Sequence, residues 1–191
     1  MRSPRSRTRF VRSPDTRVLE CVKFAEVAAA VVQRSTHRTA IVGIDGFMGS
    51  GKSTLAGLLA QSIGCARIEL DHYIVPECAA KRYVDKLRVG EFKRDLELRV
   101  AESPIVIVDG ICLRDVMDEV GAEIGTGVYV KRVSQQGIWH DGFHLESYEL
   151  EPTISESVLS NDELRYHLCR KPHETADIVL LRTEHDPSSE Y

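Results

Sequence analysis

The chain has 191 residues, of which 42% are hydrophobic, and a formal net charge of −4. This length and apolar fraction suffice for one domain with a single core, and no apolar run reaches the roughly 18 residues that cross a membrane. The five cysteines form no C-x-x-C pair, which argues against a zinc ribbon or a disulfide framework and favours a reducing cytoplasm.

The first 17 residues form a basic segment. Six of them are Arg and one, Asp15, is acidic, so the segment carries +5 and leaves −9 for the rest of the chain. Its Arg, Ser and Pro content predicts a disordered tail over residues 1–17, although an organellar transit peptide has a similar composition. The acidic remainder argues against nucleic-acid binding, which needs clustered cations.

Helical and strand-like periodicities alternate after this tail. The predicted helices cover residues 15–34, 53–63, 113–120 and 161–169, with one or two more over 76–102 that break near Gly90 and contribute to an acceptor-binding region. The predicted strands cover 39–45, 67–70, 105–108, 127–130 and 176–181. Residues 134–160 are polar and poorly periodic. The first helix would pack on the core through Val18, Val22, Ala25, Ala29 and Val32.

This alternation predicts a three-layer α/β fold, with a parallel sheet between two layers of helices. Ligands of such sheets bind at the carboxyl ends of the strands. Asp45, Asp71 and Asp109 each follow a predicted strand. We therefore expect three carboxylates to converge at one edge of the sheet.

A phosphate-binding loop joins the strand over 39–45 to the next helix. Gly46, Gly51, Lys52 and Ser53 fill the pattern G-x-x-x-x-G-K-[ST] between an apolar run and a helical run. The pattern predicts ATP and Mg²⁺ as ligands, with Lys52 neutralising phosphate charge and Ser53 ligating the metal ion. The predicted nucleotide contacts are Gly46, Phe47, Met48, Gly49, Ser50, Gly51, Lys52, Ser53 and Thr54.

The three strand-end acids have distinct expected roles. Asp109 ends an apolar strand downstream of the loop, as a Walker-B acid does, and is predicted to hold Mg²⁺; its alternative role is a turn with Gly110. Asp71 would orient a hydroxyl nucleophile and accept its proton, or else cap a turn. Asp45 fits a structural role and a supporting role near the metal equally well.

Two further side-chain patterns are less specific. His140 and His144 have the i, i+4 spacing that would bind zinc if both lay on one helix, but no third ligand is placed by a motif. Trp139 fits a packing anchor better than a base-stacking platform.

Four segments of the chain resemble the P-loop kinases of the uridine kinase-like group, which includes phosphoribulokinase and pantothenate kinase. Residues 44–56 resemble its G-I-D-G opening and loop, 68–73 its strand ending in D-D-F-Y, 107–111 its V-x-E-G-[VI], and 171–179 its R-P-x-x-x-A-D segment. The resemblance covers about residues 18–181. It implies a single kinase domain over 18–191, a lid at about 131–160, and Asp71 as the base.

Two departures from that pattern concern specificity and the lid. His72 replaces the second Asp of D-D-F-Y, and the lid lacks an R-x-x-R-D helix. Arg132 is therefore the candidate for stabilising charge on the transferring phosphoryl group. The resemblance implies a nucleoside-like acceptor, and Tyr73, Arg82 and Tyr83 are predicted to line its pocket.

The resulting hypothesis is a cytoplasmic, ATP- and Mg²⁺-dependent kinase that phosphorylates a hydroxyl of a small molecule, nucleoside to nucleoside monophosphate. Its alternatives are a non-nucleoside acceptor such as pantothenate or a sugar, and a nucleotide-binding switch or scaffold with a degenerate kinase fold. A GTPase would carry N-K-x-D and D-x-x-G segments, which the sequence lacks. The oligomeric state is left open.

Overall fold

The computed structural model of the protein describes residues 18–35, 40–80, 82–150 and 158–183. Strands in these segments are β1 (Leu19–Cys21), β2 (Ala40–Asp45), β3 (Ala66–Glu69), β4 (Ile105–Asp109), β5 (Thr126–Val133) and β6 (Ile178–Thr183). Helices are α1 (Phe24–Arg34), α2 (Lys52–Ile63), α3 (Val89–Glu102), α4 (Leu113–Val120), α5 (Gly142–Leu150), α6 (Val158–Arg170) and α7 (Pro172–Thr175), with 3₁₀ turns at Leu70–Tyr73 and Tyr83–Lys86.

The strands form one parallel sheet in the order β1-β6-β5-β2-β4-β3. The strand before the phosphate loop, β2, lies centrally between β4 and β5. Its neighbour β4 is buried on both faces, as its uninterrupted apolar sequence predicts. The parallel α/β prediction is thus confirmed, and the carboxyl ends of the central strands share one edge.

Helices cover both faces of the sheet. On one face α1 and α2 pack against buried strand residues such as Val42, Ile107 and Ile178. On the other face α3 and α4 pack against Ile68, Val106 and Val108. Alternate residues of β4 therefore face opposite cores, which establishes the predicted three layers.

The prediction of one long first helix is wrong. Residues Leu19–Cys21 instead form strand β1, which pairs in parallel with β6. Helix α1 begins only at Phe24, where the Glu26 carboxylate accepts backbone N–H bonds from Val22 and Lys23 and so caps the helix. The supposed core positions Val22 and Val32 are 59% and 46% exposed.

The buried face of α1 consists of Val27, Ala30 and Val31. Val and Ala recur so densely from residue 25 to 32 that two opposite faces both look apolar in sequence. Packing against β6 selects the second of these faces. The predicted start of this helix at residue 15 and the basic tail lie outside the described residues.

Several other boundaries differ by a few residues. Helix α2 ends at Ile63 with Gly64 in the left-handed conformation, as predicted. Gly90 lies inside the first turn of α3, because the break falls just before Val89. Strand β5 extends to Val133, and α5 occupies part of the segment to which no element was assigned. Of the described helices, none is long and apolar enough to cross a membrane.

Candidate active site

The phosphate loop connects β2 to α2 at the carboxyl edge of the sheet. Gly46 and Gly51 have φ values of +149° and +100°, which side chains rarely adopt. A Cβ on Gly46 would lie 2.7 Å from the carbonyl oxygen of Val130. The loop is therefore drawn so tightly against β5 that glycine is required at its start.

Lys52 opens α2 and is only 8% exposed. Its ammonium group donates a 2.8 Å hydrogen bond back to the Phe47 carbonyl oxygen. Burial lowers the pKa of Lys52, and nearby acids oppose that shift: Glu163, Asp45, Asp71 and Asp109. Four carboxylates thus face one ammonium group, and three of them are the predicted strand-end acids.

Asp109 is fully buried at the end of β4. Both of its carboxylate oxygens accept hydrogen bonds from the Arg67 guanidinium, at 2.8 and 3.0 Å. Arg67 also contacts Glu69 at 3.0 Å. The expected metal acid is therefore already neutralised by a neighbouring strand, so it would contact Mg²⁺ chiefly through water.

Asp71 lies in the 3₁₀ turn after β3, with its side chain exposed at the site. Its Oδ1 atom accepts a 3.2 Å hydrogen bond from the hydroxyl of Tyr83, which is 1% exposed. The backbone N–H of Tyr83 in turn donates to Asp162 of α6 at 2.6 Å. Tyr83 therefore fixes the orientation of Asp71 and links it to α6.

The other two predicted pocket residues make bonds away from Asp71. The Tyr73 hydroxyl donates to Asp95 at 2.6 Å. Arg82 pairs with Asp85 through bonds of 2.9 and 2.6 Å and is exposed. Of the three predicted pocket residues, the structure brings only Tyr83 to the proposed base.

Helix α6 makes two hydrogen bonds at the site that the sequence did not predict, and each of them involves a carboxylate. Glu163 is 5% exposed, and its Oε1 atom accepts a 2.7 Å hydrogen bond from the Met48 backbone N–H in the phosphate loop. One turn later, the Tyr166 hydroxyl donates to the Asp45 carboxylate. Burial raises the pKa of Asp45 to about 6 and that of Glu163 to about 7.

Known proteins share the fold that carries this site. No protein-family model matches the chain. It is 29% identical over 164 residues to the shikimate kinase of Chlorobaculum parvum, covering 74% of this chain and 82% of that protein. A possible uridine kinase from Bacillus stearothermophilus shares the fold, with a TM-score of 0.56 and 16% identity over 82% of this chain and 96% of its own. The chain therefore has the three-layer α/β fold of P-loop kinases.

Helix α6 makes a third contact with the phosphate loop. The His167 ring is fully buried and stacks on Phe47, with ring centroids 3.7 Å apart and planes 9° from parallel. Its Nδ1 atom lies 2.8 Å from the Glu163 carbonyl oxygen, an acceptor, so Nδ1 carries the proton. Burial lowers the pKa of His167 to about 3. This histidine is neutral at physiological pH.

His167 should make the protein less stable in acid. Its pKa in the folded state lies below the ordinary 6.5, so the unfolded chain takes up a proton between about pH 6.5 and 3 that the folded chain does not. The free energy of unfolding should therefore fall by about 1.4 kcal/mol per pH unit on acidification. His167→Phe, which keeps the stacked ring, should remove this contribution.

Urea denaturation of the protein at pH 5 and pH 7 measures the effect. The buried acids titrate in both proteins and cancel in the difference between wild type and His167→Phe. His144→Phe, at an exposed site on α5, is the control and should behave as wild type. An identical pH dependence for His167→Phe and wild type would contradict the assignment.

Arg132, the predicted stabiliser of phosphoryl charge, lies on β5 and contacts Asp141 at 3.5 Å. Its register partner on β6 is Arg182. The Arg182 guanidinium donates to the Ser50 carbonyl oxygen at 3.1 Å and lies against Gly51. Arg182 is therefore an arginine in contact with the phosphate loop, and the role of Arg132 stays a prediction.

The two lid histidines do not share a helix, because α5 begins at Gly142, after His140 and before His144. The helical premise of the zinc alternative is thus wrong. In the described residues, no three His, Cys, Asp or Glu side chains are grouped as a metal site. Trp139 packs against Phe47 and His173, with ring centroids 6.0 and 4.9 Å apart. It is a packing residue beside the loop.

Sequence signals for the missed residues are weak but identifiable. Arg67 and Glu69 alternate with Ile68 in a strand, so an arginine near a buried face required an acidic partner. Glu163, Tyr166 and His167 have the i, i+3, i+4 spacing of one helix face, in a segment otherwise too polar to mark its buried side.

Proposed function

We propose that this kinase transfers the γ-phosphoryl group of ATP to a hydroxyl of a small molecule. The observation that carries the proposal is that Asp71 and Asp109 follow β3 and end β4 at the same carboxyl edge of the sheet as the phosphate loop with its buried Lys52. A switch protein needs the loop, whereas transfer to a hydroxyl also needs an oriented carboxylate beside it. Asp71, held by Tyr83, supplies that group.

Each residue of the site has a part in the transfer. The loop N–H groups and Lys52 bind the β- and γ-phosphates and stabilise their charge. Asp71 orients the acceptor hydroxyl and accepts its proton as the oxygen bonds to the γ-phosphorus. The bond from that phosphorus to the β,γ-bridging oxygen breaks, and ADP leaves with the electron pair.

The residues fit a magnesium ion that keeps part of its water shell. Mg²⁺ in phosphoryl-transfer sites is bound by one or two protein oxygens together with phosphate oxygens. Ser53 offers a hydroxyl on the first turn of α2, and Asp109 offers a carboxylate on the neighbouring strand. The ion would neutralise the phosphate charge that develops during transfer.

Two classes of acceptor are candidates, and both match a cytoplasmic enzyme that uses ATP. The motifs of the uridine kinase-like group favour a nucleoside, with the nucleoside monophosphate as product. The 29% identity to a shikimate kinase favours a non-nucleoside alcohol. His72, which replaces the second Asp of D-D-F-Y, is 77% exposed and so leaves the acceptor side open to either class.

An ADP-release screen tests the proposal. The protein is incubated with ATP and Mg²⁺ and, separately, with uridine, cytidine, shikimate, pantothenate or a sugar. We expect release that depends on one acceptor and is abolished in Lys52→Met. Acceptor-independent hydrolysis, or ATP binding without release in any mixture, would instead support the switch or scaffold alternative.

A further inference from the structure

Glu163 is a buried carboxyl group in contact with the phosphate loop. It lies near the middle of α6 and accepts a hydrogen bond from the Met48 backbone N–H of the loop at 2.7 Å. The charge of Glu163 also raises the pKa of Lys52 more than the charges of Asp45, Asp71 and Asp109 do. The Glu163 carboxylate therefore accepts a hydrogen bond from a loop amide and is also attracted by the positive charge of Lys52.

These are the same kinds of donor that a phosphate oxygen uses in such a loop: inward-facing backbone N–H groups and the lysine ammonium. A carboxylate held there and a nucleotide phosphate would compete for the same loop N–H groups and the same lysine ammonium group. We propose that Glu163 is a built-in competitor of the nucleotide phosphates and sets the affinity of the kinase for ATP. The inference rests on the proposed function, in which the loop binds ATP.

Charge around Glu163 makes this competition depend on protonation. Lys52 of α2 attracts its carboxylate, whereas Asp45 of β2 and Asp141 before α5 repel it. Burial and these acids raise the pKa of Glu163 to about 7. Below pH 7 the Glu163 side chain is mostly neutral and competes weakly with phosphate for the loop. Above pH 7 it is mostly a carboxylate anion and competes strongly.

Displacement of Glu163 would move a larger part of α6. Tyr166 and His167 lie on the same helix face and contact Asp45 and Phe47. Expulsion of Glu163 from the Met48 amide would therefore act on a helix face that makes two further contacts, one with Asp45 of β2 and one with Phe47 of the loop.

The size of the effect follows from the population of protonated Glu163. With a pKa of about 7, roughly one molecule in ten is protonated at pH 8 and nine in ten at pH 6. If the neutral form is the one that admits ATP, wild-type affinity should fall about tenfold between pH 6 and pH 8.

The experiment compares the affinity of MgATP for wild type, Glu163→Gln and Glu149→Gln. Glu149→Gln removes the same charge at an exposed position of α5 and is the matched control. Trp139, the single tryptophan of the chain, has its ring centroid 6.0 Å from that of Phe47, so its fluorescence reports binding. Titrations at pH 6, 7 and 8 give the dissociation constants.

Glu163→Gln should bind MgATP about tenfold more tightly than wild type at pH 8 and equally at pH 6. Titration of the nucleotide affects both proteins and cancels in the ratio. Glu149→Gln should follow wild type. A wild-type to Glu163→Gln ratio that is constant from pH 6 to pH 8, or weaker binding by Glu163→Gln, would overturn the proposal.

Glu163→Ala, which leaves the Met48 N–H open, is a second variant for the case that Glu163→Gln does not fold, and it should show the same gain at pH 8. Equal, pH-independent binding by all variants refutes the competition while leaving the ATP site intact. Absence of MgATP binding by every variant, with folding verified by circular dichroism, refutes the proposed function itself.

Discussion

Replacing Asp71 by Asn should lower turnover by roughly 10²–10⁴ and leave ATP affinity nearly unchanged. Asn keeps the size of the side chain and can still accept the Tyr83 hydroxyl, but it cannot accept the proton of the acceptor. The loss therefore falls on the chemical step. Because Asp71 lies in the turn after β3, outside the phosphate loop, nucleotide contacts are preserved.

Asp95→Asn is the matched control for this variant. Asp95 is likewise an exposed carboxylate that accepts a tyrosine hydroxyl, that of Tyr73, but it lies on α3 and is not among the acids that influence Lys52. Steady-state kinetics with the acceptor identified by the screen, together with ATP binding, measures both variants. Equal turnover of Asp71→Asn and wild type would remove Asp71 from the mechanism.

Gly46→Ala should abolish measurable ATP binding at micromolar nucleotide and lower thermal stability. The new Cβ would lie 2.7 Å from the Val130 carbonyl oxygen, on the backbone of a central strand that cannot move away easily. The φ of +149° adds strain of order 1–3 kcal/mol. The loop must shift away from β5, which misdirects the N–H groups that bind phosphate.

Gly49→Ala provides the comparison for Gly46→Ala. Gly49 also has a positive φ, +75°, but a Cβ there would meet no atom within 4 Å. Gly49→Ala should therefore have only the cost of the positive φ, without a steric conflict, and should lose less ATP affinity than Gly46→Ala. Thermal unfolding and ATP titration of the two variants separate strain from steric conflict. Equal losses would show that the close approach to Val130 has no consequence.

Local patterns predicted the phosphate loop, the parallel sheet and the strand-end acids correctly. These features depend on short-range chemistry: glycine torsions in the loop, β-branched runs in β4, and a polar residue where each strand leaves the core. The meeting of Asp45, Asp71 and Asp109 around Lys52 then follows from parallel topology alone. This part of the site required no long-range information.

The missed features all depend on partners distant in sequence. Leu19–Cys21 becomes a strand because β6, more than 150 residues later, offers an edge. Arg67 donates hydrogen bonds to the Asp109 carboxylate because β3 and β4 are neighbours in the sheet. The two strand sequences alone do not indicate this pairing. Likewise, nothing local to α6 indicates that Glu163 reaches Met48.

The position of β6 in the sheet affects how the protein should be handled in the laboratory. Its carboxyl end lies beside the phosphate loop, where Arg182 bonds to Ser50, while β1 begins at the opposite edge of the sheet because the two strands are parallel. An affinity tag or surface linker placed after Thr183 would start next to the nucleotide. One placed ahead of Leu19 would start on the far side and leave the mouth of the site unobstructed.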